Sequence, residues 1–121
     1  MFASHSVAIL VATGMYTAVA GLQLFAPRTF LAVIFGTDTD DRFTLLLARH
    51  WGLLAGLVGG LLVYAAFHPE VRAPVLVVAI VEKLALAGLT LFGSWKRTPA
   101  ATRTAVVDIA VAALFLLLLA A

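Results

Sequence analysis

The chain has 121 residues, room for one domain; 64% are hydrophobic and 12% charged, against roughly 25% charged in an ordinary soluble domain. That is too little polar surface to coat a water-soluble helical bundle, so the apolar exterior faces lipid. A formal charge of +2 lends no support to a nucleic-acid partner, and the absence of cysteine removes disulfides, thiolate chemistry and Cys-based metal sites.

A spanning helix needs about 20 mostly apolar residues, and four segments qualify. The first runs from about Val7 to Ala26 and stops at Pro27, which cannot continue a helix without losing a hydrogen bond. Ala18-Val19-Ala20 resembles a signal-peptide cleavage site, but residues 1–6 contain no Lys or Arg, so a retained first span is expected. Next comes the short apolar stretch Arg28–Gly36. Nine residues as a helix reach only about 13 Å, far short of the ~30 Å hydrocarbon core, so an interfacial or re-entrant piece is expected there.

The second span runs from about Phe43 to Phe67, preceded by Asp38, Asp40 and Asp41, which suit the positive end of a helix dipole. The third runs from Val71 or Pro74 to Gly93. The fourth starts at Pro99, with Thr98 as N-cap, and continues to Ala121. The expected fold is therefore all-α: one integral membrane four-helix bundle over residues 1–121, with a short interfacial segment between the first two spans.

Basic residues set the expected orientation. Arg28 and Arg42 lie in the first loop, Lys96, Arg97 and Arg103 in the third, and only Arg72 in the second. The positive-inside rule then puts the first and third loops in the cytoplasm and both termini outside, with Trp95 as an interfacial anchor.

Each span carries a polar residue. These are Gln23 in the first, Arg49 and His50 in the second, Glu82 and Lys83 in the third, and Asp108 in the fourth. An unpaired charge at the bilayer centre costs about 2.5–3.5 kcal/mol. Four such charges would cost on the order of 10 kcal/mol, so inward-facing ion pairs are expected. Arg49 and Glu82 differ in depth by roughly 7 Å and make the first expected pair. Lys83 or Arg49 with Asp108 makes the second. Ala48, Gly52, Gly56, Gly59 and Gly60 form a small-residue stripe on the second span, and Arg49 lies among them. Such a stripe admits a close neighbour, either within the chain or in a second copy.

Two readings attach to these residues. Arg49, Glu82, Lys83, Asp108 and Gln23 either form a structural network or line a ligand site, since intramembrane charges are functional by default. Lys83 could alternatively snorkel, and Asp108 could complement its own helix N-terminus. His50, with Glu82, is the candidate proton-moving pair for an enzyme, set against a plain packing role. Tyr16 and Tyr64 read as packing or interfacial residues, and three scattered histidines offer no metal or haem pair. No cofactor is called for.

The stretch Ala48-Arg49-His50-Trp51-Gly52-Leu53-Leu54, with Phe67-His68-Pro69 and Val81-Glu82-Lys83-Leu84, resembles small uncharacterised bacterial four-helix membrane proteins of the DoxX-like type. The resemblance covers about the middle third of the chain. It implies a bacterial inner-membrane location and little about chemistry. The small multidrug transporters match in length and helix count, but their essential glutamate sits in the first helix, and this first span has no acid.

Taken together, these residues point to a membrane module that binds a lipophilic small molecule, or a partner subunit, beside a buried charge cluster. The alternatives are a lipid or isoprenoid isomerase, a small ion-coupled exporter with Glu82 as coupling acid, and a scaffold without a ligand. Homodimerisation through the glycine stripe is compatible with each.

Overall fold

The computed structural model describes residues 5–93 and 98–120. Trp95, Lys96 and Arg97, the expected interfacial anchor and part of the basic third loop, lie outside the described residues. Among the described residues there are five α-helices and no strands. They are α1 (Ser6–Ala18), α2 (Pro27–Phe35), α3 (Arg42–Ala66), α4 (Arg72–Phe92) and α5 (Pro99–Ala120).

Helix α1 continues as a 3₁₀ helix over Val19–Leu24. The tighter winding rises about 2.0 Å per residue rather than 1.5 Å, which lets the nineteen residues of Ser6–Leu24 cover about 31 Å. That matches the hydrocarbon thickness. Helices α3 and α5 meet the same requirement, as does α4 together with the short 3₁₀ turn Pro69–Val71. Large apolar side chains such as Leu57, Val81, Leu89 and Leu117 point outward from the bundle. The chain is a multi-pass membrane protein built as an all-helical bundle of four spans.

Local chemistry fixes the helix ends. Asp41 caps α3, its carboxylate accepting from the backbone N and the hydroxyl of Thr44 at 2.9 and 2.7 Å. Those two bonds hold the Asp41 carboxyl below its ordinary range. The Thr98 hydroxyl accepts from the Ala101 N–H at 3.1 Å, the N-cap expected for α5. At its other end α3 finishes against Arg72, whose guanidinium donates to the carbonyls of Ala65 and Ala66 and reaches Ser6 Oγ. A cation is favoured at the negative end of a helix, where carbonyls lack intrahelical partners.

Two helix pairs make the bundle. Helix α1 packs along α3, α4 packs along α5, and α3 meets α4 less extensively. The α1–α3 contact is close because glycines face glycines. A Cβ at Gly59 would stand 2.3 Å from Ala18 N, and one at Gly56 would stand 2.9 Å from Gly21 Cα. Gly52 is covered by Gln23 and Ala20. The glycine stripe therefore serves a crossing within the chain. Gly60 departs from expectation: nothing lies within 4 Å of its Cβ position, because it has rotated off the α1 face.

The main cluster of large buried apolar side chains lies in one half of the bundle. Leu10, Leu62, Leu76, Ala79, Ile80 and Phe115 form a buried cluster near the start of α1, the end of α3, the start of α4 and the end of α5. The other half holds α2. This helix begins with Pro27 at its first turn, ends at Gly36 with φ 64°, and is tied to α5. Thr104 Oγ1 donates to Ile34 O at 2.8 Å, and Thr98 Oγ1 donates to Phe35 O. The short segment thus packs against the bundle, with Phe35 also tilted against Trp51 at 5.5 Å between ring centroids.

Candidate functional site: a cavity between the helix pairs

Because α1 does not pack along α4 or α5 as it does along α3, the half of the bundle opposite the apolar core is incompletely filled. A cavity of ≈ 330 Å³ occupies the gap. Its floor carries Glu82 and Lys83 from α4 and Asp108 from α5. Val19 and Ala20 from the first span, Phe30 and Ile34 from α2, and Leu86 from α4 make apolar walls. Trp51 and Ala55 contribute from α3, while Tyr16, Val33 and Arg103, all exposed, stand at the rim.

Lys83 and Asp108 form the buried ion pair. Their side chains are 3% and 7% exposed, with Nζ 3.8 Å from Oδ1. The ammonium also stands 5.9 Å from the centre of the Tyr16 ring, within cation–π range. At 3.8 Å the pair gains Coulomb energy but lacks the ~2.7–2.9 Å separation of a charge-assisted hydrogen bond. Ammonium protons and carboxylate lone pairs therefore remain available to a third group. Glu82, one residue earlier on α4, is half-buried and has no ion pair within 4 Å and no hydrogen bond among the described residues.

Several expectations about this cluster need correction. Arg49 does not pair with Glu82. It is exposed near the start of α3 and donates from Nη1 to Leu24 O at 2.8 Å, satisfying a carbonyl at the end of the first span. The rotation that points Gly52 and Gly56 at α1 carries Arg49 to the edge of that crossing and away from α4. The cation beside the acids is Lys83, which is buried and does not snorkel. Asp108 pairs across to α4, the second of the expected pairs, and is not merely a helix-dipole partner.

Gln23 is fully buried, but in the α1–α3 crossing: its Nε2 donates to Ala48 O at 2.6 Å, and it does not line the cavity. Its Oε1 has no partner among the described residues. His50 is exposed on α3 and also lies off the cavity, so the Glu82–His50 proton-moving pair is not assembled. His68 stacks on Tyr64 with ring centroids 3.9 Å apart, away from the cavity.

Of the five expected ligand-site residues, the structure brings together Glu82, Lys83 and Asp108 and leaves Arg49 and Gln23 outside. Three contributors were not singled out from sequence. Tyr16 read as packing, Arg103 counted only toward topology, and α2 read as an interfacial piece. Arg103 and Asp108 stand five residues apart, about 140° around one helix, so helical spacing did not join them. No signal in the sequence joined Tyr16 to Lys83. No protein-family model, no curated protein and no solved structure matches this chain significantly.

Proposed function

We propose that the protein is a membrane module that takes a lipophilic small molecule with a polar head into the cavity between its helix pairs. One observation carries the reading: a half-buried acid with no ion-pair partner among the described residues and a loosely joined ion pair lie on the floor of a cavity with apolar walls. A purely structural ion-pair network would close on itself and exclude space. Here the space is present, and ≈ 330 Å³ falls near the lower end of the ~300–1,000 Å³ of small-molecule sites. A single-chain amphiphile fits that volume, whereas a whole two-chain phospholipid does not.

The exposed rim residues Tyr16 and Val19 belong to the first span, so the mouth opens sideways toward the acyl chains. The molecule then partitions into the bilayer before it binds. The accompanying orientation puts the side of the bundle that carries Arg28, Arg42 and Arg103 toward the cytoplasm of a bacterium, and the cavity in the cytoplasmic half of its inner membrane.

The test is saturable binding of a single-chain fluorescent amphiphile to the protein in phosphatidylcholine nanodiscs. Ala20→Phe should abolish saturation while leaving helicity and thermal unfolding unchanged, because the new ring projects into empty space. Binding that never saturates, or that survives the filled cavity, contradicts the proposal.

A further inference from the structure

The charge inventory of the cavity floor selects among polar heads. Two carboxylates, Glu82 and Asp108, face one ammonium, Lys83, and that ammonium already lies within ion-pair distance of Asp108. Glu82 is left with a carboxylate that points into a low-dielectric space and has no partner among the described residues. Arg103 lines the same cavity from the exposed rim, five residues before Asp108 on α5, or about 7 Å along the helix axis. It is screened there and does not reach Glu82 within 4 Å. The floor is short of one positive charge.

Tyr16, Phe30 and Trp51 line the same cavity, and the Tyr16 ring already lies under one ammonium, that of Lys83, as aromatic rings attract such groups. An anionic head would instead have to share Lys83 with Asp108 while standing beside the Glu82 carboxyl group. A neutral hydroxyl could hydrogen-bond to Glu82 but would bring no positive charge beside it.

We infer that the ligand is a cationic amphiphile: a single alkyl or isoprenoid chain carrying a primary or substituted ammonium, with Glu82 as its counter-ion. This deepens the ligand-binding reading above and rests on it. The chain lies against Val19, Ile34 and Leu86, and the ammonium sits between Glu82 and the second oxygen of Asp108. Binding completes a two-acid, two-cation set, so each buried charge gains a partner of opposite sign.

Octylammonium, octanol and octanoate share a chain and differ only in the head. Their binding is read from the fluorescence of Trp51, which lines the cavity, in a Trp95→Phe background and in phosphatidylcholine nanodiscs. After correction for partitioning into protein-free discs, octylammonium should bind at least about tenfold tighter than either of the others. Glu82→Gln should reduce that preference to within a few-fold while octanol still binds saturably, which shows that the cavity is intact. Glu82→Asp should retain the preference in weakened form. Octanoate or octanol binding as tightly as octylammonium would overturn the inference and leave the ligand-binding reading standing. So would a preference that survives Glu82→Gln. Saturable binding by none of the three would overturn both.

Discussion

Adding a methyl group at Gly59 tests the packing that holds the cavity open. A Cβ there would lie 2.3 Å from Ala18 N, 2.6 Å from Ala18 Cα and 2.6 Å from Gly14 O, all backbone atoms that cannot rotate away. Ordinary contact begins near 3.4 Å, so the two helices must separate by about 1 Å at their crossing. Overpacking of this kind costs about 1–3 kcal/mol. The same separation stretches the buried Gln23–Ala48 hydrogen bond, now 2.6 Å, and loses about 1 kcal/mol more. Gly59→Ala should therefore destabilise the bundle by about 2–4 kcal/mol. Gly60→Ala is the internal control, one residue along the same helix with nothing within 4 Å of its Cβ. Membrane helices stay formed when a bundle comes apart, so little helix-propensity gain offsets either change. Reversible unfolding in mixed dodecylsulfate micelles, followed by the fluorescence of Trp51 as a probe of tertiary packing, reads both variants. Equal stability of Gly59→Ala and Gly60→Ala would refute the close α1–α3 crossing.

Other consequences follow from the charges. Lys83→Met leaves Asp108 buried without its cation and should cost about 3 kcal/mol, the low end for a broken buried pair because Asp108 borders the cavity. Combining it with Asp108→Leu should recover most of that loss in the same unfolding assay, and strictly additive losses would show that the two do not interact. At the membrane edge, the two bonds from Thr44 depress the folded-state pKa of Asp41. Its cap is then fully present above the unfolded value of about 3.9 and is lost as pH falls through the folded value. The Thr44 amide resonance should titrate with a midpoint below about 3.9, and a midpoint at or above it would remove the cap. For orientation, single cysteines at Asp40 and Glu70 should react with impermeant maleimide from the cytoplasmic and outer sides respectively; the reverse pattern would invert the topology.

Much of the fold could be read from hydropathy and punctuation. Pro27, Pro69 and Pro99 delimit the spans because proline costs a helix-interior hydrogen bond, and Asp41 and Thr98 cap where caps were expected. The small-residue stripe also pointed to a close crossing, although its reach to Gly60 was one residue too generous. The pairing of charges was harder. Helical angle alone puts Arg49 with the glycines, but a long side chain at the edge of a crossing can satisfy a carbonyl as readily as a carboxylate. Which of Glu82 and Lys83 is buried depends on a rotation of α4 by one residue, finer than periodicity resolves. The cavity itself arises from a gap between α1 and the α4–α5 pair. Gaps are tertiary and leave no local trace. The role of α2 was hidden for the same reason: its length excluded a span, but the bonds from Thr98 and Thr104 and the contact of Phe35 with Trp51 dock its end onto the bundle.

Photoaffinity labelling tests occupancy of the cavity most directly. An alkylammonium carrying a diazirine at the end of its chain is irradiated with the protein in phosphatidylcholine vesicles, and labelled peptides are identified by mass spectrometry. Adducts should concentrate on Val19, Ala20 and the α2 residues Phe30–Ile34, and should disappear in Ala20→Phe and under excess octylammonium. Adducts spread over the outward-facing Leu53, Leu57 and Leu61 of α3, unaffected by either change, would mean that the amphiphile meets this protein only as lipid does.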